Sequence, residues 1–131
     1  MADVEVDRLV ALDSNFLVAV RNAASKSAAQ LEQWLRQAWT VRVSAVAWSE
    51  YLCGPLSADE ITITRNFISS VDPFTEDDAE LAGQLFNRTG RRPRSHADCM
   101  IAAHAIRRRA RLATLNVKDF QRFEKFQLRL G

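Results

Sequence analysis

Arg8-Leu9-Val10-Ala11-Leu12-Asp13-Ser14-Asn15-Phe16-Leu17-Val18-Ala19-Val20 is the stretch on which the fold turns. An apolar run of strand length ends at Asp13-Ser14-Asn15, and a second apolar run follows at once. A buried strand, a polar turn and the start of a helix account for this pattern. A strand covered on both faces reads as a continuous hydrophobic run, not as an alternating one.

The pattern recurs along the chain. Val41-Arg42-Val43 leads into Ser44-Ala45-Val46-Ala47-Trp48-Ser49-Glu50-Tyr51-Leu52-Cys53, a helix stopped by Gly54-Pro55. Arg111-Leu112-Ala113-Thr114-Leu115 leads into Asn116-Val117-Lys118-Asp119-Phe120, a turn and one helical turn. Residues 25–38 carry Ala28, Leu31, Trp34, Leu35 and Ala38 at helical spacing. Ser57-Ala58-Asp59-Glu60 is a capping box that opens a helix to about Ile68. Val71-Asp72-Pro73-Phe74 predicts a short strand held to a sheet edge by its proline. Thr75-Glu76-Asp77-Asp78 opens a helix through Leu81, Leu85 and Phe86, and Phe126–Leu130 predicts a last strand. Short apolar strands alternating with helices imply an α/β fold: a parallel or mostly parallel sheet with helices on both faces. Residues 1–131 read as a single domain, with 1–7 as a loose, acidic tail that is not signal-like.

The totals narrow the class. An apolar fraction of 47% and a charged fraction of 26% are those of a soluble globular protein. A net charge of +2 is too mild to identify a nucleic-acid binder, so any such role rests on local patches. The two cysteines, Cys53 and Cys99, sit in apolar helical contexts at no metal-ligating spacing. They are expected to be buried free thiols, which favours a reducing, cytoplasmic location. No apolar run approaches membrane-spanning length, so no membrane partner is expected.

In open parallel sheets ligands gather at the carboxyl ends of the strands, where the strand order switches direction. Acids cluster there in this sequence. Asp13 follows the first strand, and Asp119 lies in the turn after the fourth. Glu50 follows the second strand on the helical face of Val46, Ala47 and Cys53. In Ser95-His96-Ala97-Asp98, Ser95 reads as an N-cap, and Asp98 lies in line with the apolar stripe of Ile101, Ala102 and Ala105. Taken singly, Asp13 could be only an N-cap, and Asp98 and Asp119 only the third residues of capping motifs. Taken together, four like charges at one sheet edge need a cation, since repulsion raises their pKa values. Oxygen ligands without a His/Cys set suit Mg²⁺ or Mn²⁺ rather than zinc. A carboxylate-bound divalent ion facing solvent suits phosphoryl chemistry. Arg88, Arg91, Arg92 and Arg94, just before Asp98, could hold a polyanionic backbone beside it, or form a solvated basic loop.

Other residues are expected to be structural. Arg107, Arg108, Arg109 and Arg111 should cap a helix C-terminus and cover surface. Trp34, Trp39 and Trp48 should be core or interface aromatics, and His96 and His104 packing or surface residues. Of the two histidines, His96 lies closer in sequence to Asp98.

Four pieces resemble the PIN-domain family, and within it the VapC-type toxins of toxin–antitoxin pairs. They are Leu12-Asp13-Ser14-Asn15-Phe16-Leu17, Ser44 to Tyr51, Ala97 to Ala105, and Thr114 to Phe120, in the family's order and spacing. The resemblance implies a three-layer α/β/α fold and Mg²⁺-dependent endoribonuclease activity. It further implies a homodimer, inhibited by a cognate antitoxin that inserts a segment into the acidic cleft. By position, Asp13 and Asp98 resemble the main metal ligands, Glu50 the third acid and Asp119 the more variable fourth. Ser14, Thr114 and Asn116 resemble supporting polar groups.

Two other readings compete. One is a catalytically silent PIN-like module that binds RNA or protein; the intact acid set argues against it. The other is a phospho-acceptor receiver domain, which needs a late strand-end lysine, and Lys118 and Lys125 are poorly placed for that.

Overall fold

A computed structural model describes residues 8–131; the acidic stretch read as a tail lies outside the described residues. Strands β1 (Leu9–Leu12), β2 (Thr40–Ser44), β3 (Ser70–Asp72), β4 (Arg111–Ala113) and β5 (Arg129–Leu130) form one sheet. Helices α1 (Ser14–Val20), α2 (Lys26–Arg36), α3 (Ala45–Leu52), α4 (Ala58–Phe67), α5 (Glu76–Arg88), α6 (His96–Arg108) and α7 (Val117–Phe120) connect them, and α7 runs into a 3₁₀ helix, Gln121–Phe126.

The strand order is β3-β2-β1-β4-β5, and every pairing is parallel. The opening stretch therefore supplies the central strand, with Val10, Ala11 and Leu12 buried, as its unbroken hydrophobicity requires. Leu12 pairs with Ala113, and Ser44 with Asp72, so the carboxyl ends of the four longer strands line up along one edge. The order reverses between β1 and β4, which fixes where a ligand crevice belongs. Helix α6 is buried through Cys99, Ile101, Ala102, Ala103, His104 and Ala105, whose mostly small side chains let its neighbours approach closely.

Side chains set the helix starts. Ser25, Ser44, Ser57 and Thr75 each accept the expected backbone N–H, and Ser57 with Glu60 and Thr75 with Asp78 complete capping boxes. Ser95 is different. It makes no side-chain cap, and its Oγ donates to the carbonyl of Arg92 at 2.8 Å, so the Asp98 carboxylate is left free of the helix end. Strand β4 stops at Ala113 because the Thr114 hydroxyl takes the Asn116 N–H at 3.0 Å and turns the chain. The last strand shrinks to Arg129–Leu130 because residues 121–126 are helical. Strand β3 does lie at an edge, but it runs Ser70–Asp72, so Pro73 follows it rather than sitting in it.

Two further expectations change. Cys99 is buried but Cys53 is exposed, since it caps the last turn of α3 on the solvent side, just before Gly54. Arg107 and Arg108 do more than cover surface: both donate to Asp78 of α5, at 2.9 and 3.0 Å, and Asp78 is fully buried. Nearby, Arg42 grips Asp72 with Nε and Nη2 at 2.8 and 3.1 Å, and His104 Nε2 meets the same carboxylate at 2.7 Å. Burial alone would raise the pKa of Asp72, but hydrogen bonds from Arg42, His104 and Ser70 hold it down to about 2. Burial works against Asp78 likewise, and Arg108, the Thr75 N–H and Arg107 hold it well below the carboxylate range. Burial lowers the pKa of His104, so its ring is neutral, and the nitrogen facing Asp72 is the one that carries the proton. Trp34 and Trp48 are buried; Trp34 packs on Phe16 and Trp39, and Trp48 on Tyr51.

Candidate active site

Asp13 ends β1 and caps α1. One carboxylate oxygen accepts the Ser14 N–H at 2.8 Å and the other the Thr114 hydroxyl at 2.8 Å, and the residue is 3% exposed. Burial raises its pKa, and the hydrogen bonds from Thr114 and Ser14 partly offset that rise. The Ser14 hydroxyl lies 3.1 Å from Glu50 Oε1 and 3.5 Å from Asp13 Oδ1, so its single proton favours Glu50. Glu50 is an exposed residue, yet partial burial of its carboxyl end, and then the charge of Asp13, raise its pKa.

Asp98 sits in the first turn of α6, half-buried, with its pKa pushed up to about 6. Burial is the main cause. Asp13, Asp119 and Glu50 add repulsion, and Arg122 opposes it. Asp98 shares a cleft of about 170 Å³ with Asp119, Arg92, Pro93, Arg94, Ser95 and Arg122. The loop delivering these arginines coils tightly: Gly90, Arg91 and Arg94 have φ of 88°, 51° and 66°. Left-handed arginines cost on the order of 1 kcal/mol each, a strain that tends to collect at functional sites.

Not every expected residue is drawn in. Arg92 and Arg94 line the cleft, whereas Arg91 turns away to lie 5.5 Å over the Phe86 ring, and Arg88 stays in the last turn of α5. Asn116 takes part through its backbone N–H, not its side chain. His96 packs edge-on against Phe86 at 6.2 Å, and His104 belongs to the Asp72 network. Among the described residues, no three His, Cys, Asp or Glu side chains are gathered tightly enough to hold a metal ion by themselves.

Sequence reasoning overlooked two residues. The Asn15 side chain accepts the Leu115 N–H at 3.0 Å and so ties α1 to the end of β4. Arg122 lies one helical turn beyond Asp119, a spacing that could have flagged it.

The sequence matches the PIN domain over residues 10–125. The chain belongs to the PIN-domain family. No curated protein matches it significantly. Among solved structures, this PIN domain resembles VapBC2 from Rickettsia felis bound to a promoter DNA fragment, with a TM-score of 0.75 and 22% identity over 94% of this chain and 97% of that one. A toxin–antitoxin complex from Klebsiella pneumoniae gives 0.67 and 25% identity over 86% and 90%. VapBC-1 from nontypeable Haemophilus influenzae gives 0.69 and 22% over 94% and 96%. The acids of this PIN domain come from four separate segments, and the charges of Asp13, Glu50 and Asp119 all raise the pKa of Asp98. No helix among the described residues is long and apolar enough to cross a membrane.

Proposed function

We propose that the protein is a cytoplasmic, Mg²⁺-dependent endoribonuclease, the toxin of a type II toxin–antitoxin pair, which hydrolyses RNA phosphodiester bonds with a metal-activated water. Asp98 carries this reading. Its pKa is pushed up to about 6 by burial and by three other acids, in a cleft that also holds Arg92 and Arg94. An acid kept for stability would be paired off, as Asp72 and Asp78 are. The donor set is oxygen alone, which fits Mg²⁺, with Mn²⁺ as a substitute. Asp13 and Asp98 would be the principal ligands, with Glu50 and Asp119 at the rim. Because no three acids close in unaided, water would fill the remaining positions, as Mg²⁺ prefers.

The bound ion would polarise the phosphate and lower the pKa of an attached water. The protein's own residues do the rest. Thr114 and the Ser14 N–H fix Asp13 in one orientation. The Ser14 hydroxyl steadies Glu50, a carboxylate of raised pKa suited to taking a proton from the attacking water. Arg92 and Arg94 hold the RNA backbone by charge without reading sequence. The toxin–antitoxin complex from Klebsiella pneumoniae supports a cognate antitoxin as partner. The antitoxin would enter the acidic cleft of a homodimer.

The test is digestion of a total RNA pool with Mg²⁺, with EDTA, and with Asp98→Asn, followed by mapping of the cut ends. Cleavage that needs the metal and vanishes in the folded variant is expected. Cleavage that survives EDTA, or survives in Asp98→Asn, sinks the assignment. RNA binding without cleavage points to the silent module instead.

A further inference from the structure

Arg122 stands in the 3₁₀ helix behind the cleft, with its side chain 13% exposed. Its guanidinium is held from two sides. Nη1 donates to the Asp119 carbonyl, and the guanidinium carbon lies 4.4 Å from the centre of the Phe123 ring. The remaining nitrogens, Nε and Nη2, are buried and have no hydrogen-bond partner among the described residues. The Cys99 thiol beside them is only a weak acceptor. The strong acceptor in reach is Asp98, whose Oδ2 lies 4.0 Å from Nη2, beyond hydrogen-bonding distance. Idle buried N–H groups on a cation are costly, and so is a half-buried carboxylate among other acids. A hydrogen bond between the two would satisfy both.

We propose that Arg122 is a built-in competitor for the divalent ion: it takes the Asp98 carboxylate when the cleft holds no ion, and must give it up for an ion to be held. This rests on the metal-dependent reading above. Arg122 is then a positioning residue that acts through Asp98. It neutralises part of the acid cluster at low metal concentration and sets how much free ion is needed to charge the site.

The test is calorimetric titration of the full-length protein with Mn²⁺, comparing wild type, Arg122→Met, Arg122→Lys, Asp98→Asn and the Asp98→Asn/Arg122→Met double variant. Methionine keeps the stem that packs on Phe123 but removes the charge; Arg122→Gln serves the same purpose if methionine does not fold, as judged by circular dichroism. Arg122→Met should bind Mn²⁺ on the order of tenfold more tightly than wild type. Arg122→Lys should stay near wild type, and in the Asp98→Asn background the gain should disappear. A purely structural role predicts the opposite sign, because a loosened cleft holds the ion less well. Equal or weaker Mn²⁺ binding in the folded neutral variant overturns the proposal while leaving the metal site standing. Failure of wild type to bind Mn²⁺, or equal binding by wild type and Asp98→Asn, overturns the metal reading and this proposal with it.

Discussion

At the β3 edge, Asp72 meets Arg42, His104 and Ser70, and the neighbouring Asp78 meets Arg107 and Arg108. In the cleft beside α6, Asp98 is repelled by the charges of Asp13, Asp119 and Glu50, with Arg122 4.0 Å away. Burial works against the charged form in both places, yet the first pair has pKa values below the usual range, while Asp13, Glu50 and Asp98 lie above theirs. The difference lies in what each group faces. In the first region each carboxylate is matched by guanidinium donors, so its charge strengthens the packing of α5 and α6 against the sheet edge. In the second, negative charge is left in surplus, a state that makes sense if something positive arrives from outside.

This contrast can be broken by mutation. Asp98→Asn should cut Mg²⁺-dependent RNA cleavage by about two orders of magnitude or more, while the metal-free protein melts no earlier than wild type. A large drop in its Tm would put Asp98 in the structural class and collapse the distinction. Asp78→Ala should do the converse. It leaves two arginines facing a buried gap and should cost about 3 kcal/mol in chemical denaturation, with cleavage per folded molecule unchanged.

Acidity sharpens the contrast further. Asp98, with a folded pKa of about 6 against the ordinary 3.8, adds stability that is fully present below 3.8 and lost as the pH rises through 6. Asp13 and Glu50 act in the same direction. Asp72, held at about 2, adds stability that is present above 3.8 and lost as the pH falls toward 2, and Asp78 acts with it. His104 works the other way in the same window, since burial lowers its pKa and its contribution is lost as the pH falls below 6.5. Measured against Asp98→Asn, which shares that loss, the Tm of the metal-free protein should therefore gain a few degrees from pH 7 to 5, and both should fall below pH 4. Saturating Mn²⁺ should flatten that gain, because a bound cation favours the ionised acids. No gain over Asp98→Asn between pH 7 and 5 without metal counts against the surplus-charge account. The smallest effect belongs to Thr114→Val, which removes one hydrogen bond from Asp13. It should lower cleavage by about tenfold, and stability by about 1 kcal/mol, read from steady-state rates and urea melts.

Much of this was legible in the sequence. The unbroken apolar run at Leu9–Leu12 identifies a strand buried on both faces, and Pro73 marks the end of β3. Three of the acids announce themselves by following a strand, and Asp98 by lying on an apolar stripe. What stayed hidden depends on distances between chain-remote groups. Asp78 reads as the third residue of a capping box, which it is, but nothing local says that Arg107 and Arg108 will close over it. Ser95 and Asp98 have the spacing of a capping box that does not form, because the Ser95 hydroxyl goes to Arg92. Cys53 shows the same limit: its neighbours are apolar, but the last turn of α3 faces outward.

The hydrogen bond from Thr114 to Asp13 joins residues 101 positions apart. Strand β1 is made well before the neighbour that completes the crevice beside it, β4. Such long-range pairing is slow to form and cannot begin before its second half exists. A growing chain on the ribosome therefore carries Asp13, Glu50 and eventually Asp98 without a crevice to gather them. Residues 111–119 must clear the exit tunnel and dock before the acids meet. The topology thus acts as a delay written into synthesis, which separates making the acids from gathering them.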